Sequence, residues 1–191
     1  MSSIQSRFIR GFTLLETMIS LVVLGILVVS VFSITIETYA YIGHTDVDYA
    51  AQAEATQSLA RMTEILRKCG RSTLAGVEYP RITGGGSELE FRILKDLDGN
   101  GYPFSAATGE PEWGTTIYSV RIDGGGNLRV FNGTNPVWHL CRHADQITFS
   151  TYRNDPLLQL NEIGVTLRTR KFTQRGEPID FTISGTIDMR N

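Results

Sequence analysis

The chain is predicted to fold as an α+β protein, with one long N-terminal helix followed by an antiparallel β domain. Three observations predict it. Residues 12–42 hold 21 apolar residues out of 31 and neither Lys nor Arg. Residues 50–70 are rich in Ala, Leu, Glu, Gln and Arg, which are good helix formers. From Ser72 onward the apolar residues recur every second position.

The first element is read as a membrane span. Thr17 to Ile36 is a run of 20 residues without a charge. Twenty helical residues rise roughly 30 Å, the thickness of a bilayer's hydrocarbon core. The run has no polar face, unlike the helix of a soluble core. Arg7 and Arg10 precede it, and Asp46 and Asp48 follow it. The positive-inside rule therefore puts the N-terminus in the cytoplasm and the rest outside. A cleaved secretory signal is the rival reading. Its only candidate cleavage pattern, Ala51-Gln52-Ala53, lies too far beyond the apolar run.

The helix is expected to run from about Phe12 to Cys69, with Gly43 as the place for a bend and Gly70 as the C-cap. Leu59, Met62, Ile65, Leu66 and Cys69 fall on one face and are read as domain core. In the β domain, Leu89, Phe91 and Ile93 alternate with Glu88, Glu90 and Arg92. Tyr118, Val120 and Ile122 lead through an Asp123–Asn127 turn to Leu128 and Val130. Ile147, Phe149 and Thr151 form a further strand. Val165, Leu167 and Thr169 are expected to pair with Ile179, Phe181 and Ile183 across the turn at 174–178. Six to eight strands result.

Composition excludes several functions. The 191 residues carry a net charge of −2, with two cysteines and three histidines. Residues 43–191 have 16 Lys/Arg against 18 Asp/Glu, so no nucleic-acid partner is expected. Two cysteines cannot build a four-cysteine zinc site. His44, His139 and His143 form no metal or catalytic set, and the expectation is that the protein is not an enzyme and requires no cofactor. The glycine runs 84–86 and 124–126 lack a following helix, so they are not phosphate cradles.

Glu16 stands at the head of the apolar run, where a carboxylate is costly unless it lies near the interface or has a partner. The sequence Arg10-Gly11-Phe12-Thr13-Leu14-Leu15-Glu16 resembles the processing motif of type IV pilins and type II secretion pseudopilins. The resemblance implies a leader, residues 1–11, that a prepilin peptidase removes between Gly11 and Phe12. It implies N-methylation of Phe12. Residues 12–36 would then be the transmembrane and polymer-core helix, 37–71 its amphipathic continuation and 72–191 a periplasmic β domain. Glu16 would pair with the Phe12 amine of a neighbouring subunit, giving assembly a fixed register.

The stretches Cys141–Tyr152, Glu162–Leu167 and Met189–Asn191 are similar to J-type minor pseudopilins and to W-type minor pilins, as is Ser58–Arg67. That likeness implies a structural subunit at or near the tip of a type II secretion pseudopilus, supporting its assembly and protein secretion. The alternative is a minor pilin of a type IV pilus, serving assembly priming, adhesion or DNA uptake. Expected partners are the prepilin peptidase, the inner-membrane assembly platform, and other minor and major pilins or pseudopilins, especially I-type and K-type. The expected location is the bacterial inner membrane, single-pass with the C-terminal domain in the periplasm, and then the pseudopilus or pilus.

Two side constellations remain. Asp96-Leu97-Asp98-Gly99-Asn100-Gly101-Tyr102 matches the first half of an EF-hand-like loop. Asp96, Asp98, Asn100 and the Tyr102 carbonyl are candidate ligands for a structural calcium. The twelfth position is Ala107, leaving Glu110 as a substitute on another loop course. Cys69 and Cys141 would face an oxidising compartment, and a disulfide between them would tie the helix end to the sheet.

Overall fold

The computed structural model describes residues 13–189. The expected leader and Phe12 lie outside the described residues. One helix, α1 (Leu14–Leu66), spans 53 residues. Ten strands follow among the described residues: β1 (Ser72–Leu74), β2 (Val77–Tyr79), β3 (Arg81–Thr83), β4 (Glu88–Phe91), β5 (Tyr118–Ile122), β6 (Leu128–Asn132), β7 (Asn135–Cys141), β8 (Ala144–Thr151), β9 (Glu162–Phe172) and β10 (Pro178–Asp188). The α+β class is as expected, with more strands than the six to eight anticipated.

Among the described residues, those up to His44 form one unit and those from Thr45 a second. In the first unit the helix is apolar on every side, and its large side chains, from Leu14 to Ile36, are exposed. Its polar groups are absorbed locally. The Ser20, Ser30, Thr35 and Thr38 hydroxyls each donate to the carbonyl four residues back, at 2.7–2.8 Å. That leaves an outer surface suited to lipid or to other helices. The most apolar 18-residue stretch has a mean hydropathy of 2.8, long and apolar enough to cross a membrane. Gly43 does not interrupt the helix.

In the second unit, Ala51, Ala55, Ser58, Met62 and Leu66 form the fully buried stripe of α1. The three small residues at its start let the helix approach the strands closely. Gly185 on β10 serves the same approach: a Cβ there would stand 3.0 Å from Leu59 Cδ2. Of the expected apolar face, Met62, Leu66 and Cys69 are fully buried, while Leu59 and Ile65 are partly so. The helix ends earlier than expected. Lys68 and Cys69 N–H bond three residues back, to Ile65 and Leu66. Cys69 then leaves the helix to bridge Ile93, so Gly70 is not its cap.

The sheets are antiparallel throughout. One runs in the order β3-β4-β5-β6-β7, a second in the order β10-β9-β8, and β1-β2 is a separate ribbon. The Asp123–Asn127 turn joins β5 to β6 as anticipated, and Asp123 Oδ1 accepts the Gly125 and Asn127 N–H groups at 2.9 Å. Gly126 there takes φ +73°, which suits glycine. The pairing of β9 with β10 also holds, with Leu167 opposite Ile183 and Thr169 opposite Phe181. The strand β7, Asn135–Cys141, was missed because it contains Pro136 and two register shifts against β6, and its first five residues are all exposed. The expected alternation fails at Arg92, which is 5% exposed rather than outward-facing. Its guanidinium donates to the carbonyls of Gly114 (2.9 Å), Thr73 (3.2 Å) and Trp113 (3.2 Å).

Polar contacts fix the helix on the sheets. Ser58 Oγ donates to Leu140 O at 2.9 Å, and Thr169 Oγ1 to Ala51 O at 3.3 Å. Glu54 binds Lys171 Nζ at 2.8 Å, the Arg142 N–H at 2.7 Å and His143 Nδ1 at 3.1 Å. Burial acting alone would raise its pKa. The bonds from Lys171, Arg142 and His143 outweigh burial and hold it at about 2. A carboxylate held below its ordinary 4.5 stabilises the fold fully above that value, and the contribution is lost as pH falls toward 2. Glu54→Ala should therefore cost about 2 kcal/mol at neutral pH, by stranding Lys171 and the Arg142 N–H. In a pH series of thermal melts, the wild type should lose stability between pH 4.5 and 2 more steeply than the variant.

Candidate functional site

The head of α1 is built from a short local pattern. Thr13 precedes the helix, and its Oγ1 accepts the Glu16 N–H at 3.3 Å. Thr13 O accepts the N–H groups of Glu16 (3.0 Å) and Thr17 (3.1 Å). Thr13-Leu14-Leu15-Glu16 is thus a helix-capping sequence, Ser/Thr-x-x-Glu, with Glu16 in its third helical place. That capping signal is contiguous in the sequence, but the sequence reading took Glu16 for its charge and its place in the processing motif and not for its spacing from Thr13. A carboxylate in the first turn is also favoured by the helix dipole. Among the described residues no cation pairs with Glu16, which is exposed. Gly11 and Phe12, the expected cleavage and methylation residues, lie outside the described residues.

The Asp96 loop is organised around its own carboxylates. Asp96 accepts the Gly99 N–H (2.7 Å) and the Gly101 N–H (2.9 Å). Asp98 accepts from Asn100 N and Ala106 N, and the Ala106 bond leads in holding its pKa below the ordinary range. Asn100 Oδ1 accepts the Tyr102 N–H at 2.7 Å, and its amide donates to Asp98 and to Phe104 O. The third carboxylate is Glu112, not Glu110. Carboxylate oxygens of Asp96, Asp98 and Glu112 all lie within 4.8 Å of one another. Bridges Leu94–Trp113 and Phe104–Pro111 fold the chain back and bring Glu112 over the loop. Its distance along the chain from Asp96 hid it from a twelve-residue template.

The expected disulfide is not present: Cys69 and Cys141 are both free and buried. The helix explains it. Cys141 Sγ lies 3.6 Å from Glu54 Oε1, whereas Cys69 Sγ faces Ile65 O at 3.5 Å. Cys141 thus packs beside Glu54 and Ser58, two to three turns of α1 before the Ile65 carbonyl that Cys69 faces, and a disulfide needs the two Cα atoms within about 7 Å. Burial raises the pKa of both thiols, so neither is poised as a nucleophile. His143 is engaged by Glu54, and burial lowers the pKa of His139 on β7.

The chain matches the prokaryotic N-terminal methylation motif over residues 6–32. No curated protein and no solved structure gives a significant match. The methylation motif and the long apolar N-terminal helix fit a type IV pilin-like protein. They also fit processing by a prepilin peptidase, assembly with other pilins, and a single-pass membrane anchor. The same features suit a structural subunit rather than an enzyme. Non-reducing peptide mapping of the purified protein should recover Cys69 and Cys141 as two alkylatable thiols after denaturation. A Cys69–Cys141 cross-linked peptide would contradict this geometry.

Proposed function

We propose that the chain is a minor prepilin of the J-type or W-type kind, and more particularly a tip-proximal subunit of a type II secretion pseudopilus. In this reading the peptidase cuts between Gly11 and Phe12, methylates Phe12 and leaves a mature helix anchored in the inner membrane. The β domain lies in the periplasm and chooses the neighbouring I-type and K-type subunits. Protein secretion then depends on the chain through assembly of the pseudopilus, with the inner-membrane platform drawing it out of the bilayer.

The observation that carries this reading is a coincidence at one place. A methylation motif covers residues 6–32, and the helix that begins inside it leaves its whole apolar length, Leu14 to Ile36, uncovered. Glu16 supports the same reading, because it lacks a cation among the described residues and would gain one from a neighbour's Phe12 amine. In an apolar helix core such a pair relieves much of the cost of burying either charge.

Co-expression with a prepilin peptidase should give a mature N-terminus at methylated Phe12 by mass spectrometry. An intact Met1, or a cut beyond Ile36, would overturn the reading. Glu16→Leu should leave membrane insertion intact and reduce incorporation into filaments at least tenfold.

The Asp96, Asp98 and Glu112 carboxylates, with Asn100 beside them, are further proposed to hold a structural calcium ion. The D-x-D-G-N-G sequence and the gathered carboxylates support this. Millimolar calcium should raise the melting temperature of the wild type by several degrees and leave Asp98→Asn nearly unmoved, whereas an equal shift in both would refute it.

A further inference from the structure

The end of α1 and the strand β7 carry a surplus of positive charge. β7 is the last strand of its sheet, and its first five residues, Asn135–His139, are exposed. Between β7 and the last turns of α1 lies a cleft of about 510 Å³, lined by Arg61, Ile65, Ile93, Trp138 and His139. Glu64 and Lys68 border it as well, and they pair with each other at 3.7 Å.

The other acids around this surface are matched in the same way. Asp123 pairs with Arg129 at 3.2 Å, and Glu54 with Lys171 at 2.8 Å. Arg61 and Arg142 are left over. Both are exposed, and neither guanidinium has a carboxylate partner among the described residues. Both charges act on His139. Burial lowers its pKa first, and the Arg129, Arg142 and Arg61 charges lower it further against the opposing pull of Glu54. The imidazole is therefore neutral at pH 7 and adds no charge of its own. A local excess of positive charge thus stands on a chain whose net charge is −2.

Trp138 gives this surface a fixed apolar centre. Its ring stacks on Tyr118 with centroids 5.5 Å apart, and Tyr118 stacks on the fully buried Phe91 at 5.9 Å. The stack ties the indole to the core, yet Trp138 remains 39% exposed and Val137 beside it 44%. Tryptophan and arginine are the residue types most enriched at the anchoring positions of protein interfaces.

We infer that this surface docks an acidic segment of a partner protein. Asp or Glu side chains of the partner pair with Arg61 and Arg142, and an apolar side chain between them enters the cleft against Trp138, Ile65 and Ile93. A guanidinium is weakly hydrated and forks onto a carboxylate through two bonds, so such pairs form at little cost in lost water. Nucleic acid fits less well, because two surplus arginines beside Glu64 are far fewer cations than a phosphate backbone requires. The surface stands apart from the processing motif, and an uncleaved N-terminus would leave it intact.

Trp138 supplies the readout. The chain has two tryptophans, and Trp113→Phe in the full-length protein in uncharged detergent leaves Trp138 as the only one. Titration with acetyl-Asp-Val-Asp-Val-Asp-amide should change its fluorescence saturably. The counterpart with Asn in place of each Asp should bind about tenfold more weakly. Raising NaCl from roughly 50 to 500 mM should weaken the Asp peptide several-fold.

Arg61→Glu and Arg142→Glu should each weaken binding about tenfold and leave the melting temperature of the free protein unchanged, because neither guanidinium has a partner to lose. Arg175→Glu, an equal charge change in the exposed β9-β10 turn, should leave affinity unchanged. Four outcomes would overturn the proposal: no saturable response, equal binding of the Asp and Asn peptides, full affinity in the Arg61→Glu/Arg142→Glu double variant, or an equal loss in Arg175→Glu. A thymidine oligonucleotide binding more tightly than the Asp peptide would also overturn it, since the patch would then serve nucleic acid.

Discussion

The β domain depends on one helical stripe. Ala51, Ala55, Ser58, Met62 and Leu66 are buried along a single face of α1, and the core residues of β4 to β10 gather on it. Glu54 lies beside that stripe and is bound by the Arg142 backbone, by His143 and by Lys171. It therefore ties the β7-β8 connection and the end of β9 to the helix at one point. Small residues bring the backbones close enough for Ser58 and Thr169 to bond across the interface. Larger side chains would push those partners beyond hydrogen-bond distance and leave buried polar groups unpaired.

Along the same helix, burial and exposure are divided by sequence. Residues 14–36 are apolar on every side, and nothing in their own unit covers them. From Ala51 the apolar residues narrow to a face, and the strands cover it. A helix of the first kind needs lipid or other helices as its solvent, whereas one of the second kind needs a domain. The capping Thr13 and first-turn Glu16 fit this division, because they satisfy the start of the helix within the chain. The carboxylate itself remains available outward.

Charge is used differently in the two sheets. On β8, β9 and β10, Asp145, Arg168, Arg170 and Asp180 form a cross-strand cluster in which the hydrogen bonds from Arg170 and Arg168 hold Asp180 at about 2. That cluster is open to solvent and self-balanced. Arg92, beside β4, is instead enclosed by the segment that returns through Trp113 and Gly114, and its partners are carbonyls alone. A solvated, paired charge makes little demand on its surroundings. An enclosed, unpaired one biases whatever lies beside it toward the opposite sign.

Local pattern alone determined much of this protein. Hydropathy marked the apolar helix, period-two alternation marked β5, β6, β8, β9 and β10, and the Asp123 turn and the 174–178 turn gave two correct hairpins. These are short-range properties: each follows from side-chain direction and backbone sterics within a few residues. The methylation motif was legible for the same reason, being contiguous. Other features depended on chain segments distant in sequence. The partners of Glu54 come from β9 and the β7-β8 turn, Glu112 reaches the Asp96 loop only by a fold-back, and Arg92 is buried only because residues 113–114 close over it. The two cysteines are unbonded because β7 packs Cys141 beside Glu54 while Cys69 sits past the end of the helix, facing Ile65 O. In each case the deciding quantity was a distance through space, which tertiary packing sets and spacing along the chain does not.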